Sequence, residues 1–192
     1  MKKVLLMAIL FAVSSVSMAQ SKGYATFEYS NETKRADDSE TAKGALVAGF
    51  KTEDNMDYSI KVESSQAAWG SGSISNGVEL RAKKTFGAVT SFDIKPYLGV
   101  RLGEKIKSSE KFAHYAVDAG VKFPIVGPVS GDVGMRYRNA FDTVNAFESN
   151  RYHATAILAL TKQDSVALRY SQAYGDTGEE KNAIRLSYTR SF

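Results

Sequence analysis

The sequence predicts an all-β chain, an antiparallel up-and-down β-barrel of about ten strands that closes within a membrane. Three observations predict it. Apolar and polar residues alternate with a period of two along ten separate segments, and no helical pattern longer than two turns competes with them. The chain opens on an export signal. Beyond that signal no stretch approaches the roughly 20 apolar residues of a helical span. A chain that crosses lipid without helices has to close on itself, because only closure satisfies every backbone N–H and C=O there.

The signal is residues 1–19. Lys2 and Lys3 precede an apolar run from Val4 to Val13, and Ser17-Met18-Ala19 supplies the small-x-small cleavage pattern, with the cut between Ala19 and Gln20. Residues 20–192 then form one barrel domain. The chain has no cysteine, so neither a disulfide nor a lipoprotein anchor is expected. The net charge of +4 loses Lys2 and Lys3 with the signal, leaving 23 Lys and Arg against 21 Asp and Glu. That balance carries no nucleic-acid footprint.

The ten segments follow in order. Ala25, Phe27 and Tyr29 share a face in the first, and Leu46, Ala48 and Phe50 in the second. Tyr58, Ile60 and Val62 define the third, and Val78, Leu80 and Ala82 the fourth. The fifth places Phe92, Ile94, Leu98, Val100 and Leu102 opposite Asp93, Lys95 and Arg101. Pro96 interrupts it, which requires a bulge or a strand beginning near that residue, since proline gives no ladder donor. Tyr115, Val117, Ala119, Val121 and Phe123 mark the sixth, and Val133, Met135 and Tyr137 the seventh. Tyr152, Ala154, Ala156 and Leu158 mark the eighth, Val166, Leu168 and Tyr170 the ninth, and Ile184, Leu186 and Tyr188 the tenth. Pro124 and Pro128 are expected in the turn between the sixth and seventh. A barrel of eight strands is the alternative count; it needs several loops beyond about 12 residues.

Alternation alone leaves open which face looks outward. A lipocalin-like secreted barrel alternates too, with its apolar face inside. Aromatic residues argue for lipid. Phe86, Phe92, Phe123 and Phe192 border the shorter connections or the C-terminus, and Tyr29, Phe112, Tyr115, Phe141, Tyr152 and Tyr174 border the longer ones. Two such belts are expected at the two interfaces of a bilayer. The odd-numbered connections are polar and mostly longer, the even-numbered ones mostly shorter, as in barrels with short turns at one rim and long loops at the other.

The closing stretch Ile184-Arg-Leu-Ser-Tyr-Thr-Arg-Ser-Phe192 carries a resemblance. Phe192 at the end, with Ile184, Leu186 and Tyr188 on one parity, resembles the terminal strand of small bacterial outer-membrane β-barrel proteins, the porin-like class of eight to ten strands. The resemblance implies a cell outer-membrane location in a Gram-negative-type bacterium, with both termini on the periplasmic side. It implies passage by periplasmic chaperones to the barrel-assembly machinery, which reads the last strand, and contact with outer-membrane lipid and lipopolysaccharide. Arg190 departs from the pattern, standing on the lipid-facing parity where an apolar residue is usual.

If the apolar parity faces lipid, the other faces the lumen. It carries Lys51, Lys61, Arg81, Lys83, Lys95, Arg101, Lys122, Arg136, Arg138, Arg169 and Arg185 against Glu28, Glu63, Glu79, Asp93 and Asp118. Ten strands lie close to the eight at which side chains just fill a barrel. The expected function is therefore a membrane-structural or surface-interaction barrel with a charged, mostly filled lumen. The alternative is a narrow anion-preferring conduit, since rings of Arg and Lys favour anions.

No catalytic, cofactor or metal site is expected. His114 and Asp118 share a face, but four residues along a strand is about 13 Å. Thr155 stands near His153 where a nucleophile would be wanted, without a nucleophile motif. Asp37-Asp38 and Glu179-Glu180 lack an EF-hand pattern. The signal reading predicts that N-terminal sequencing of the mature protein begins Gln20-Ser21-Lys22. A first residue of Met1 overturns it.

Overall fold

A computed structural model describes residues 21–67, 74–106, 111–142, 147–175, 178 and 180–192. The signal segment, with Ala19 and Gln20, lies outside the described residues, as does Glu179.

All ten alternating segments form strands: β1 (Lys22–Lys34), β2 (Glu40–Lys51), β3 (Met56–Ala67), β4 (Ser75–Thr85), β5 (Lys95–Ile106), β6 (Lys111–Val126), β7 (Val129–Ala140), β8 (Ser149–Ala159), β9 (Asp164–Gly175) and β10 (Glu180–Ser191). Each pairs antiparallel with its neighbours in sequence, and β1 pairs with β10 from Tyr24↔Ser191 to Lys34↔Lys181, closing the barrel. The eight-strand count is thereby excluded. A strand of 12 residues is about 40 Å long and, tilted by about 45°, rises close to 30 Å, the thickness of a hydrocarbon core.

The faces divide as the parity argument requires. Leu46 (64% exposed), Val62 (52%), Leu98 (53%), Leu168 (54%) and Ile184 (59%) point outward. Lys61, His114, Asp118 and Asp132 point inward and are buried. A water-soluble barrel has the opposite polarity, so the lipocalin-like alternative fails. Charged groups form the interior and an apolar band forms the exterior.

Of the two arrangements expected at Pro96, the structure shows the second: β5 begins at Lys95, so Pro96 sits at the start of a strand, where a missing donor costs least. Its carbonyl accepts from Phe86 N at 2.8 Å, the rung just beyond the last Thr85↔Tyr97 pair. Three other local expectations are corrected. Pro124 lies inside β6, at an irregularity of register between Pro124 and Val126, and the turn shrinks to Gly127-Pro128. Gly127 takes φ +52°, the glycine-first arrangement of a II′ hairpin turn. Phe112 faces the lumen and is buried, so it belongs to no belt. The difference in connection length is weaker than expected. The β1–β2 connection is residues 35–39, because Thr33↔Glu40 and Glu32↔Thr41 continue the ladder through polar sequence. Connection 86–94, at the rim that bears the termini, is the longer of the two. Backbone pairing extends past the apolar band, since polar side chains are tolerated on the outer face once the strand has left the lipid.

The remaining outer aromatics form belts. Tyr115 packs against Phe141 at 5.2 Å and Tyr137 at 6.2 Å, and Tyr152 against Tyr174 at 6.2 Å, all toward the rim opposite the termini. Phe50 and Tyr58 pack at 5.4 Å toward the terminal rim. In the turn beside them Thr52 and Lys84 donate to the Asp54 carboxylate, which holds its pKa below the ordinary range.

Arg190 finds its explanation here. It stands opposite Asp164 across the β9–β10 ladder with 3.8 Å between the charges, and Tyr188 donates to the same carboxylate at 2.6 Å. The β1–β10 ladder ends with Phe192 N bonded to Gly23 O at 2.9 Å. Two variants separate these roles. Phe192→Ala is expected to lower the folded, heat-modifiable fraction in outer membranes severalfold, whereas Arg190→Leu, which leaves Asp164 its bond from Tyr188, keeps it within twofold. Equal behaviour of the two variants on semi-native gels contradicts this account of the terminal strand.

Candidate functional site

The candidate site is the lumen. Because inward side chains from ten strands converge on one axis, residues remote in sequence meet there, and charges excluded from the lipid face find partners.

At mid-height, along one wall, Glu79 accepts from Arg81 at 2.6 Å and from Arg101 at 2.8 Å. Arg101 also binds Asp118, whose other partner is Arg136 at 2.8 Å. Carboxylates and guanidiniums thus alternate across β4, β5, β6 and β7. On the facing wall Lys61 lies 2.8 Å from Glu28 and 2.7 Å from Glu63, and Arg185 lies 3.3 Å from Glu28. Arg169 donates to the Thr155 hydroxyl at 2.8 Å.

Toward the terminal rim a second cluster forms. Tyr97 donates to Asp132 at 3.2 Å, and its oxygen lies 3.3 Å from Nε2 of His153, itself 2.7 Å from Asp132. Tyr24 donates to Asp57 at 2.6 Å, and Lys83 lies 3.8 Å from Asp57. The Tyr97 ring lies where two glycines leave room. A Cβ on Gly120 or on Gly134 would sit 2.5 Å from the Tyr97 oxygen. Any side chain there displaces the tyrosine.

Toward the opposite rim Glu32 binds Lys43 at 2.9 Å and Arg151 at 2.8 Å. Phe147, from the β7–β8 connection, stacks on the Arg138 guanidinium at 3.7 Å and packs against Phe112 at 4.7 Å and His114 at 5.1 Å. Below Phe147 a cavity of about 60 Å³ opens to solvent, walled by Lys43, Lys105, Arg138 and Arg151 among others.

The structure brings together most of the charges expected in the lumen: Arg81, Lys83, Arg101, Lys122, Arg136, Arg138, Arg169, Glu63, Glu79 and Asp118 all lie on inward-facing strand positions. Asp93 does not join them. It lies exposed in connection 86–94 with φ +56° and pairs with Lys95 at 2.9 Å. The fifth strand starts only after it, so its parity carries no meaning. Lys51 sits at the terminal mouth, 5.7 Å from the Tyr24 ring. His114 and Asp118 take different partners, Glu79 at 3.7 Å for His114 and two arginines for Asp118. Glu32, Lys43, Asp57, Lys105, Asp132 and Arg151 are further lumen charges. Each keeps the parity of a charge already assigned on its strand, as Glu32 does with Glu28 and Asp132 with Arg136, or in the case of Arg151 the parity of His153, so carrying the alternation further would have found them. Tyr97 was hidden because an aromatic residue reads as lipid-facing, and Phe147 because a connection has no parity. Among the described residues no three His, Cys, Asp or Glu side chains group as metal ligands.

No family model matches the sequence, and no curated protein matches it. Solved structures match in fold. The KdgM porin, in complex with a disordered oligogalacturonate, aligns with a TM-score of 0.56 at 14% identity over 87% of this chain and 99% of that one. The β domain of the Bordetella autotransporter BrkA gives 0.55 at 10% identity over 90% and 99%. The translocator domain of the autotransporter NalP from Neisseria meningitidis gives 0.52 at 11% identity over 100% and 96%. The chain has the fold of outer-membrane β-barrels.

The tyrosine–glycine contact yields a stability prediction. Gly120→Ala is expected to destabilise the barrel by about 1–3 kcal/mol, the usual cost of overpacking a close contact. The temperature at which the heat-modifiable band converts should fall, and Tyr97→Ala in the same chain should recover part of the loss. An unchanged conversion temperature contradicts the packing described.

Proposed function

We propose that this chain is an integral outer-membrane protein, exported with a cleaved signal, whose barrel acts as a sealed structural and surface-presenting body. On this reading both termini lie in the periplasm and the rim bearing Phe147 faces the exterior, as an even strand count and a periplasmic C-terminus require. Its last strand serves recognition by the barrel-assembly machinery after delivery by periplasmic chaperones, and its apolar band and outer belt contact lipid and lipopolysaccharide. Its work needs no cofactor and no catalysis.

The observation that carries the sealed reading is that side chains span the lumen between strands that are not neighbours. Glu32 of β1 reaches Arg151 of β8, and Tyr97 of β5 reaches His153 of β8. With the Glu79–Arg101–Asp118–Arg136 wall between these levels, polar groups occupy the bore at three heights. A barrel of this circumference is filled by its own side chains, whereas open aqueous channels belong to 16–18 strands.

A narrow anion-preferring conduit is the second reading, favoured by the excess of Lys and Arg over Asp and Glu on the inward face. Planar-bilayer recordings separate the two. The wild-type protein is expected to show no steady conductance. The double variant Glu32→Gln, Asp132→Asn, which loosens both spanning contacts, is expected to conduct with anion preference. Stable ohmic steps from the wild type, selective for anions, establish the second reading and sink the first.

A further inference from the structure

The vestibule below Phe147 is not balanced in charge. Its acids are already engaged: Glu32 serves Lys43 and Arg151, Glu63 lies against Lys61, and Glu79 serves Arg81 and Arg101. Two cations remain. Among the described residues neither Lys105 nor Arg138 has a carboxylate within 4.0 Å. Both instead face one ring, Arg138 at 3.7 Å and Lys105 at 5.9 Å from the centre of Phe147. The ring's quadrupole attracts them without neutralising them. Nε of Arg138 is fully buried and has no hydrogen-bond partner, and Nδ1 of His114, beside the same ring, is in the same position. A buried donor or charge without a partner is costly. Both cations line the open cavity. An anion between them would give both cations an opposite charge and Nε of Arg138 an acceptor.

We infer that this vestibule binds one phosphate or carboxylate group, taken from the solvent at the mouth opposite the termini and held between Arg138 and Lys105 beside Phe147. Guanidinium offers a planar fork matched to two oxygens of such a group, and ammonium a point charge. Lys43 and Arg151 line the same cavity and share the single carboxylate of Glu32, so the anion enters a positive field. The inference names a ligand class for the vestibule of the proposed barrel. It does not depend on whether the bore below conducts.

The test is calorimetric titration of the purified, folded protein in neutral detergent at low salt with inorganic phosphate and, separately, acetate. Saturable one-to-one binding of either by the wild type is expected. Arg138→Gln and Lys105→Gln should each weaken it at least tenfold, and Arg138→Lys should weaken it less than Arg138→Gln. Lys111→Gln, which alters an exposed pair with Glu104 outside the cavity, should leave it unchanged. Heat-modifiable migration reports that each variant is folded, and should Arg138→Gln fail to fold, Lys105→Gln carries the result. A phosphorus NMR spectrum of the protein before titration distinguishes the source. A retained signal displaced by added phosphate marks a lipid-borne group, and its absence with saturable binding marks a soluble one. Lack of saturable binding in wild type freed of retained lipid, or equal affinity in wild type and both Gln variants, overturns the inference. Conductance in bilayers overturns only the sealed reading.

Discussion

Every feature of this molecule depends on one ladder, the pairing of β1 with β10. Until those strands meet, two rows of backbone N–H and C=O groups lie unsatisfied, and in lipid each costs several kcal/mol. Eleven consecutive register pairs from Tyr24↔Ser191 to Lys34↔Lys181 remove both edges together. Closure also sets the parity of each strand, since a slip by one residue would turn Leu186 inward and Arg185 into the lipid. The alternation of the sequence and the closure of the barrel are one constraint met at two levels.

Closure then creates a second problem, a narrow bore crowded with charge. Its solution is an ionic core. In a soluble domain a network such as Glu79–Arg101–Asp118–Arg136 would stand against an apolar alternative of equal volume, which is often as stable. Here an apolar lumen inside an apolar exterior would leave no face distinct from lipid, and so no register. Charges that cannot be turned outward hold each strand in phase. Shape contributes beside charge: Tyr97 fits only because Gly120 and Gly134 on two neighbouring strands have no side chain to meet it.

How much of this could be read from the chain depends on how local the governing physics is. Strand number, pairing order and face assignment follow from a period of two, which is local, and ten segments of the sequence show it. The lumen charges follow from the same parity, and those overlooked, such as Glu32 and Arg151, lie where polar sequence resembles a loop while the ladder still continues. Asp93 fails for the converse reason, since parity was extended past the start of the strand at Lys95. What could not be read is which charge meets which. Arg151 meets Glu32, and His153 meets Tyr97, through distances across the bore, and these depend on the stagger of ten strands at once.

The same reasoning explains why the vestibule looks unlike the rest of the lumen. Below it, most acids and bases come from strands in fixed register and meet an opposite charge on a nearby strand, as Glu79, Arg101, Asp118 and Arg136 do. At the outer rim the ladder ends and Phe147 enters from a connection. Its ring meets Arg138 at 3.7 Å, a buried guanidinium against an aromatic face where Arg101 and Arg136 meet carboxylates. A ring cannot be ionised and accepts only weakly. Substituting it for an acid leaves the neighbouring cations held in place yet uncompensated. A carboxylate there would neutralise the cations, whereas the ring only attracts them. A surface that exchanges an anion with the medium gains from the ring, since a built-in carboxylate would occupy the site permanently.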